Sequence, residues 1–433
     1  MRIQLKKRNI KVLLLILTLI VVFSLLNKSY KVSNELYNEI AKQHEVEPEE
    51  NVDYVDSVDY IDSFHSFLVK KKEIYHKTSK GLCPERRNLV FIKTMKCATQ
   101  TLVQIFRRFG YLRHLNFVLP RGNNIYLGWP FILENRDYRP SRRQFNILSE
   151  HAVYNHTVMS ELMPKDTVYV TIIREPFSHF KSTFNYFNVA NISFVKESDK
   201  VSGYLHNLEK YESNYKRPDA ALRYCIPDGF SVTKNLLSHC LGMPLGYPAG
   251  RTNITADLNS VRDYISKLDS EFSLVMIMEY FHESLVLLKR VMCWSMEDIL
   301  YHTSNVGSYA FKNSLPSEAN LKIYQHWSHA DYLLYDHFNK TFWKKVEAEG
   351  EDFKTELAEY NIIQSQVSNF CSDKDARENV TIFAESPYSK TFTVSKDFCL
   401  LLGVDLLEYL KKRFDREEGW FEPEDKSLPK RGC

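Results

Sequence analysis

Two segments of the chain share one pattern. Each begins with a continuous apolar run, which is typical of a buried strand, and continues with apolar residues spaced three or four positions apart, which is typical of a helix. The first is NLVFIKTMKCATQTLVQIFRRF, residues 88–109, with a helical face of Leu102, Ile105, Phe106 and Phe109. The second is TVYVTIIREPFSHFKSTFNYF, residues 167–187, with a helical face of Phe177, Phe180, Phe184 and Phe187. Apolar strands that feed helices in this way predict an α/β fold with a central parallel sheet covered on both faces by helices.

The composition supports a sizeable folded core, and its balanced charge means that any anion site must be local. The chain has 433 residues, of which 44% are hydrophobic and 13% aromatic, enough to bury one large core or two ordinary ones. The formal net charge is +3, from 57 basic and 54 acidic residues. This balance argues against nucleic acid as a partner.

The N-terminus predicts a membrane anchor. Basic residues precede an uninterrupted apolar stretch from Val12 to Leu26, and by the positive-inside rule they stay cytoplasmic. We therefore expect residues 1–9 to be a cytoplasmic tail, residues 10–26 a transmembrane signal anchor, and the rest lumenal. The alternative is a cleaved signal peptide, but the segment lacks a small-x-small cleavage site. The short span suits thin early secretory membranes.

The rest of the chain divides by composition. Residues 27–80 contain an acidic run that self-repulsion keeps extended, which is typical of a stem. Dense globular patterning at residues 81–371 predicts one lumenal catalytic domain. Residues 372–433 are more polar and are expected to form a helical appendage and tail.

Sequons and cysteines agree with a lumenal body. Glycosylation sequons outside the membrane-proximal region begin at Asn155, Asn191, Asn253, Asn339 and Asn379. The eight cysteines show no CxxC pair and no Cys/His zinc spacing, so disulfides are the natural interpretation. From proximity alone we suggest the pairs Cys225 with Cys240 and Cys371 with Cys399. We expect Cys97 to stay unpaired.

The first turn, KTMKCATQT, has the chemistry of an anion site. Lys93 and Lys96 supply charge, the helix N-terminus supplies backbone N–H groups, and hydroxyl donors come from Thr94, Thr99 and Thr101. Cys97 and Ala98 are small enough for an ordinary turn without glycine. The turn does not match GxxxxGK[ST], which argues against a magnesium-dependent nucleotide hydrolase. The alternative is a solvated turn with two surface lysines and an N-cap threonine.

The second turn adds a further anion-binding group. Arg174 follows the predicted strand and can grip a phosphate in bidentate fashion, and Ser182 lies two helical turns further on. Alternatively, Arg174 pairs with Glu175 or caps the sheet. Parallel sheets bind ligands at the carboxyl ends of their strands, so both turns should open toward one crevice. A nucleotide with phosphates at both ends of its ribose would use both turns.

Two histidines lie between the turns, in LSEHAVYNHT. A sugar hydroxyl needs a general base to become a nucleophile near neutral pH, and histidine is the residue most readily tuned for this. His151 and His156 are the candidates. A lone histidine is, however, more often a structural hydrogen-bonding group.

Together these segments resemble the Golgi sulfotransferases, specifically the galactose 3-O-sulfotransferase family that includes galactosylceramide sulfotransferase. FIKTMKCATQTL resembles the family's 5′-phosphosulfate motif, and TIIREPFSHFKSTFNYF resembles its 3′-phosphate motif. The similarity extends through LPRGNNIYLGWPF, FSLVMIMEYFHESLVLLKRVMCWSMEDILY and ADYLLYDHFNKTFWKKVEAEG, and so covers roughly residues 88–350.

The resemblance implies a P-loop-like sulfotransferase fold, PAPS as the sulfate donor, no required metal, and location in the Golgi membrane as a single-pass type II protein. It assigns the 5′-phosphosulfate to Lys93, Thr94, Lys96, Ala98, Thr99 and Thr101, and the 3′-phosphate to Arg174 and Ser182. Lys96 would stabilise charge on the bridging oxygen, and His151 would be the catalytic base. The implied partner is a galactose-containing glycolipid or glycoprotein acceptor, and a homodimer is left open.

Tyr126 and Trp129 are candidates for stacking on a galactose ring, although core packing is the more common use of such aromatics. The chain departs from the family pattern at Met95, Cys97 and Gln100, where histidine, threonine and serine are usual. KNLLSHCLG, residues 234–242, carries Ser238-His239 in place of an aromatic-acidic pair. The acceptor is therefore less well defined than the donor.

Two other classes of protein remain as alternatives. A lumenal glycosyltransferase would need an Asp-x-Asp metal site, and the only such pattern is Asp373-Lys374-Asp375, which no apolar strand precedes. A catalytically inactive membrane-anchored lectin would explain the altered loop residues. Two assays separate these classes: binding of PAP, the product that remains when PAPS has donated its sulfate, and transfer of sulfate to a galactoside.

Overall fold

The computed structural model describes residues 75–78, 81–122, 124–216, 227–302, 309, 311–373 and 380–421. All of them belong to one compact unit. The predicted tail, anchor and most of the stem, residues 1–74, lie outside the described residues. Among the described residues, no helix combines the length and the apolar character needed to cross a membrane.

The described part contains strands β1 (Tyr75–Thr78), β2 (Gly81–Pro84), β3 (Leu89–Ile92), β4 (Ile147–Leu148), β5 (Val168–Ile173), β6 (Leu274–Ile277), β7 (Val380–Phe383) and β8 (Phe392–Ser395). Its α-helices are α1 (Thr99–Leu112), α2 (His156–Leu162), α3 (Pro176–Tyr186), α4 (Val189–Ile192), α5 (Lys200–Leu205), α6 (Leu208–Lys216), α7 (Leu236–Cys240), α8 (Leu258–Glu271), α9 (Phe281–Met292), α10 (Glu318–Trp327), α11 (His329–Glu349), α12 (Glu351–Ser372), α13 (Lys396–Gly403) and α14 (Leu407–Glu418). Short 3₁₀ helices lie at Met278–Tyr280 and Glu297–Ile299.

The central sheet is parallel, as predicted. Its strands lie in the order β4-β3-β5-β6, with Leu89 opposite Val168 and Val170 opposite Leu274. Every residue of these four strands is buried. Because successive residues of a strand point to opposite faces, this burial shows that both faces of the sheet are covered.

Both predicted strand-turn-helix units are confirmed. The second predicted strand, Val168–Ile173, coincides with β5, and the first predicted run contains β3. The residues predicted to form the two helical faces are all buried, with at most 3% of the side chain exposed: Leu102, Ile105, Phe106, Phe109, Phe177, Phe180, Phe184 and Phe187. The apolar periodicity thus places each helix against the core, with its N-terminus at the carboxyl edge of the sheet.

The C-terminal residues pack against the sheet domain. The hairpin β7-β8 leads into α13 and α14, which bury Leu401, Leu402, Leu410 and Phe414. Ion pairs and hydrogen bonds join α14 to the chain that follows α1, including Arg139 Nε to Asp415 Oδ1 at 2.9 Å. The segment from residue 380 to residue 421 is therefore integrated with the sheet that carries both turns.

The cysteine predictions have mixed outcomes. Cys371 and Cys399 form a disulfide, as suggested, and Cys97 carries a free, buried thiol, as expected. The suggested pair of Cys225 with Cys240 is wrong, because Cys240 also carries a free, buried thiol. Cys225 itself lies outside the described residues. The bond between Cys83 and Cys293 was not predicted, because 210 residues separate the two positions and proximity in sequence gave no signal.

Candidate functional site

The loop between β3 and α1 has an unusual backbone. Lys96 and Ala98 both lie in the left-handed region, with φ of 57° and 56°. The prediction of an ordinary turn is therefore wrong. A non-glycine residue in this conformation costs on the order of 1–3 kcal/mol and persists only where its surroundings hold it. The loop lacks glycine, but it makes the turns that glycine usually makes.

Side chains from other elements hold this loop by its carbonyl groups. The pairs are Lys93 O with His151 Nδ1 at 3.2 Å, Met95 O with His179 Nε2 at 2.8 Å, and Lys96 O with Arg174 Nη1 at 3.3 Å. A carbonyl oxygen can only accept, so each ring nitrogen in these contacts carries a proton. The contacts stabilise the left-handed residues and fix the tautomers of both histidines.

The N-terminus of α1 is open to an anion. Ala98 is its N-cap residue and makes no side-chain capping hydrogen bond. The first-turn N–H groups and the positive end of the helix dipole therefore remain unpaired with a side chain. Thr99 and Thr101 lie in this first turn and are mostly buried, with 6% and 8% exposed.

The two lysines of the loop lie in different environments. Lys93 is buried, and its Nζ lies 4.0 Å from Glu150 Oε2 and 3.4 Å from Gln100 Oε1. Burial lowers the pKa of Lys93 to about 8, against an opposing effect of the Glu150 carboxylate. Lys96 is half-buried, with Nζ 4.1 Å from the ring centre of Tyr186. Burial and the charge of Arg174 lower its pKa. The alternative of two surface lysines and an N-cap threonine is therefore wrong.

Thr94 has a different role from the one predicted. Its side chain is fully buried, and its hydroxyl donates a hydrogen bond to the carbonyl of Ile172 in β5. The hydroxyl has one proton to donate, and that proton is committed to the sheet. The prediction that Thr94 donates its hydroxyl to an anion is therefore contradicted. Thr94 instead ties the end of β3 to β5.

The second turn lies next to the first, as predicted, through the contact of Arg174 with Lys96. Within the described residues Arg174 forms no ion pair. The neighbouring Glu175 instead caps α3 by accepting hydrogen bonds from the backbone N–H groups of Phe177 and Ser178, at 2.9 and 2.7 Å. The alternative in which Arg174 pairs with Glu175 is therefore wrong. Arg174 thus lies beside Lys96 with no salt bridge in the described part of the chain, although the Glu279 carboxylate is near enough to interact with it electrostatically.

Ser182 lies on α3, two turns after Arg174, with 8% of its surface exposed. Its hydroxyl makes no hydrogen bond to any part of the chain that the structure describes. Its proton is therefore not committed to another described group, and its role toward a ligand stays a prediction.

His151 has the protonation state that a general base needs. Its Nδ1 proton is bound to Lys93 O, which leaves Nε2 as the unprotonated nitrogen. Burial and the charges of Lys93 and Arg107 hold its pKa well below the usual value. The ring is therefore neutral near pH 7. His156, the other candidate, is exposed at the start of α2, and its ring centre lies 5.8 Å from that of Tyr169 in β5.

The prediction that Tyr126 and Trp129 stack on a sugar is wrong. Only 6% of Tyr126 and 1% of Trp129 is exposed, and their rings stack on each other at 5.6 Å. The rings of Trp129 and Phe230 also pack nearly perpendicular to each other, with their centres 5.6 Å apart. A ring that stacks on a sugar needs an exposed face, and neither ring has one. Both belong to the aromatic core, although Tyr126 also lies 5.3 Å from the His151 ring.

Ser238 and His239, which depart from the family pattern, are also internal. The Ser238 hydroxyl donates to Asp331 Oδ1 at 2.6 Å, and His239 Nε2 donates to the carbonyl of Pro130 at 2.8 Å. Burial lowers the pKa of His239 to about 4. Both side chains therefore support α7 and the loop before β4.

Sequence reasoning missed several residues that support the site. They are Arg107, Glu150, His179 and Asp405, which contact the loop or the residues that hold it. Glu150 directly precedes His151, and His179 lies between Arg174 and Ser182, so position in the motifs could have indicated both. Asp405 gave no signal, because it lies 298 residues from Arg107 in the chain.

The predicted glycosylation sites differ in accessibility. Asn191 and Asn253 are exposed, and Asn253 Oδ1 accepts hydrogen bonds from Thr255 of its own sequon. Asn155 is half-buried and caps α2. Asn339 lies within α11 with its Oδ1 buried and unpaired among the described residues. Asn379 lies outside the described residues.

No group of three His, Cys, Asp or Glu side chains in the described residues could hold a metal ion. Of the Asp-x-Asp pattern, only Asp373 is described. It follows α12 and no strand, which disagrees with the strand-end placement that a glycosyltransferase site would need.

The fold and the site define an α/β protein whose parallel sheet carries two neighbouring turns with basic side chains at the carboxyl ends of its strands. The family model for galactose-3-O-sulfotransferase matches residues 1–405. The chain belongs to this family, as its motifs indicated.

Individual relatives agree with this assignment. The chain is 34% identical over 303 residues to galactosylceramide sulfotransferase from Homo sapiens, an alignment that covers 68% of this chain and 66% of that protein. It is 28% identical over 306 residues to galactose-3-O-sulfotransferase 2 from Mus musculus, covering 69% and 73%. It is 30% identical over 270 residues to galactose-3-O-sulfotransferase 3 from Homo sapiens, covering 62% and 59%. The alignments thus span just under two thirds of the galactosylceramide sulfotransferases.

Proposed function

We propose that this protein is a PAPS-dependent carbohydrate sulfotransferase that transfers sulfate to the 3-hydroxyl of a galactose in a glycolipid or glycoprotein glycan. The observation that carries this proposal is that Lys93 and Lys96 lie in the loop before α1, whose N-terminus has no side-chain cap, and that Arg174 contacts this loop. Two cationic turns in contact suit a donor with anionic groups at both ends of a ribose. Membership of the galactose-3-O-sulfotransferase family supports galactose as the acceptor sugar.

The residues present fit such a donor. Among the described residues Arg174 has no salt bridge and the Ser182 hydroxyl, on α3, has no hydrogen-bond partner, so both suit the 3′-phosphate. The N–H groups of the first turn of α1, with Lys93, Lys96 and Thr99, suit the 5′-phosphosulfate. Thr101 can add a hydroxyl, and Ala98 contributes backbone alone. Thr94 supports the loop from the sheet.

The chemical step is a direct displacement at sulfur. His151 Nε2 takes the proton of the galactose hydroxyl, and the sugar oxygen forms a bond to sulfur as the bond from sulfur to the phosphate oxygen breaks. Lys96 stabilises the negative charge that develops on that oxygen. Lys96 lies two residues before the N-cap of α1, which supports this role. Most of the rate enhancement would come from positioning and preorganised charge.

The cellular setting belongs to the same proposal. A segment with the pattern of a signal anchor at residues 10–26 supports a single-pass type II protein of the Golgi membrane with a lumenal catalytic domain. Two disulfides in the described residues support an oxidising compartment.

Titration of the full chain with PAP, followed by transfer of radiolabelled sulfate from PAPS to lipid-linked and protein-linked galactosides, tests the function. We expect PAP binding and a product with sulfate at the 3-position by linkage analysis. Absence of PAP binding would contradict the proposed sulfotransferase function. Binding without transfer to any galactoside would favour an inactive lectin-like protein.

Two substitutions test the assignment of the turns. Arg174→Ala should raise the Kd for PAP about tenfold or more, because a charged hydrogen bond is worth about 1.5–3 kcal/mol. Arg174→Lys keeps the charge without the bidentate geometry and should be intermediate. Lys96→Ala should abolish transfer while the fold and PAP binding persist. Full activity in Lys96→Ala would contradict the loop assignment.

A further inference from the structure

A closed ring of five side chains lies behind the donor loop. Its members are Lys93, Gln100, Asp405, Arg107 and Glu150. Lys93 Nζ donates to Gln100 Oε1 at 3.4 Å, and Gln100 Nε2 donates to Asp405 Oδ2 at 3.3 Å. Arg107 Nη1 pairs with Asp405 Oδ1, and Arg107 Nε and Nη2 donate to Glu150 Oε1 at 2.9 and 2.6 Å. Glu150 Oε2 lies 4.0 Å from Lys93 Nζ, which closes the ring.

Asp405 comes from a different part of the chain than the other four residues. It lies between α13 and α14, beyond the domain predicted to end at residue 371. Its Oδ1 also accepts a hydrogen bond from the backbone N–H of Leu407 at 3.0 Å. Contacts of α14 hold this position, including Lys411 Nζ to the carbonyl of Asn124 at 2.9 Å. The C-terminal segment therefore presents Asp405 to the ring from a fixed place.

The ring balances two cations against two carboxylates in a mostly buried place. Lys93, Arg107 and Glu150 are each at most 4% exposed. Arg107 binds one oxygen of Glu150 with two nitrogens, while the other, Glu150 Oε2, has no hydrogen-bond partner among the described residues and faces Lys93. Without Asp405 the ring would carry an extra positive charge next to Lys93, which burial makes costly.

We propose that Asp405 is a positioning residue of the donor site: by holding Arg107 and Gln100 it keeps Glu150 and Lys93 in place, so the C-terminal helices take part in donor binding. This inference rests on the proposed function. The same inference assigns a structural role to Gln100, which stands where the family usually has serine. Gln100 links the ammonium group of Lys93 to the carboxylate of Asp405.

The charge state of Lys93 supplies an observable that a purely structural role would not change. Four charged or titratable groups act on it: Glu150 and Asp405 raise its pKa, Arg107 lowers it, and His151 lies beside it. With its pKa at about 8, Lys93 is mostly charged at pH 7 and mostly neutral at pH 9. PAP affinity should therefore fall as the pH rises through this range. Because Asp405 raises the pKa of Lys93, removal of the Asp405 charge should shift this loss of PAP affinity to lower pH.

The test is the Kd for PAP of the full chain, measured by calorimetry from pH 6.5 to pH 9.5, in wild type and Asp405→Asn. We expect Asp405→Asn to weaken binding at pH 7.5 about two- to fivefold, because Asp405 is about half exposed and screened. The midpoint of the alkaline loss should shift to lower pH. Glu385→Gln, which removes an exposed charge from the same segment, should match wild type.

The outcomes are distinct. If wild type binds PAP and Asp405→Asn shows the same Kd and the same midpoint, this inference is overturned while the proposed function stands. If wild type does not bind PAP, the proposed function itself fails. Gln100→Leu provides a second test should Asp405→Asn not fold, since it breaks the ring while the ion pair of Arg107 with Asp405 remains. Gln100→Leu should weaken PAP binding about twofold or more, and an unchanged Kd in it would also overturn the inference.

Discussion

His179 Nε2 donates a hydrogen bond to the carbonyl oxygen of Met95 at 2.8 Å, so a side chain of the helix after the second turn holds the backbone of the first turn. His179 is 1% exposed, and burial lowers its pKa to about 3. The ring is therefore neutral and acts as a fixed donor. Two hydrogen bonds therefore join the turns: this one, and the bond from Arg174 to the carbonyl oxygen of Lys96.

The first prediction concerns this bond. His179→Leu should lower the free energy of unfolding by about 1–3 kcal/mol, because it leaves the buried Met95 carbonyl without a donor. It should also weaken PAP binding, since the loop loses one of its supports. His179→Gln can place an amide N–H near the position of Nε2 and should restore PAP binding. Equal Kd values for PAP in the two variants would show that the bond does not shape the loop.

The second prediction concerns acid stability. His179 has a folded pKa of about 3 against about 6.5 when unfolded, so its contribution is fully present above pH 6.5 and is lost as the pH falls toward 3. Between pH 6 and pH 4, the free energy of unfolding of His179→Gln should depend on pH less steeply than that of wild type, by about 1.4 kcal/mol per pH unit. Urea unfolding at a series of pH values measures both slopes. Parallel slopes would mean that His179 is protonated in the folded protein.

The third prediction separates the two nitrogens of His151. His151→Asn keeps a donor near the position of Nδ1 for the carbonyl of Lys93 but has no group in place of Nε2. It should therefore bind PAP with a Kd close to that of wild type, while kcat falls about 10²- to 10⁴-fold. His151→Ala should lose turnover and also weaken donor binding. Turnover of His151→Asn close to that of wild type would mean that another group is the base.

The fourth prediction follows from the burial of Trp129. Trp129→Phe should lower the free energy of unfolding by about 1–3 kcal/mol, because it leaves space in the aromatic core. The KM for a galactoside acceptor should stay within about twofold of wild type, since the ring has no exposed face. Trp420→Phe, at a half-buried position just after α14, should have a smaller effect on stability. A large rise in acceptor KM for Trp129→Phe would restore the sugar-stacking role.

The sequence predicted the parallel sheet and both strand-turn-helix units because their signals are local. Apolar runs such as Val168–Ile173 and the phenylalanine stripe of α3 report burial through their period alone. Both turns also met at one edge, as the general rule for parallel sheets requires.

The same reasoning failed where residues distant in the chain decide the outcome. The left-handed conformation of Lys96 and Ala98 depends on donors from other elements, and these have no signature within the loop itself. The Thr94 hydroxyl, which was predicted to bind an anion, donates to a carbonyl of β5, a strand more than seventy residues further along the chain. Trp129 was covered by Phe230, which lies about a hundred residues further along the chain.

The disulfide between Cys83 and Cys293 gives the molecule a particular covalent topology. It joins residues 210 positions apart, and both turns of the candidate site and His151 lie inside the closed loop. A single backbone cut anywhere between these cysteines therefore leaves one covalent molecule. Such a nicked protein migrates as two fragments on a gel only after reduction.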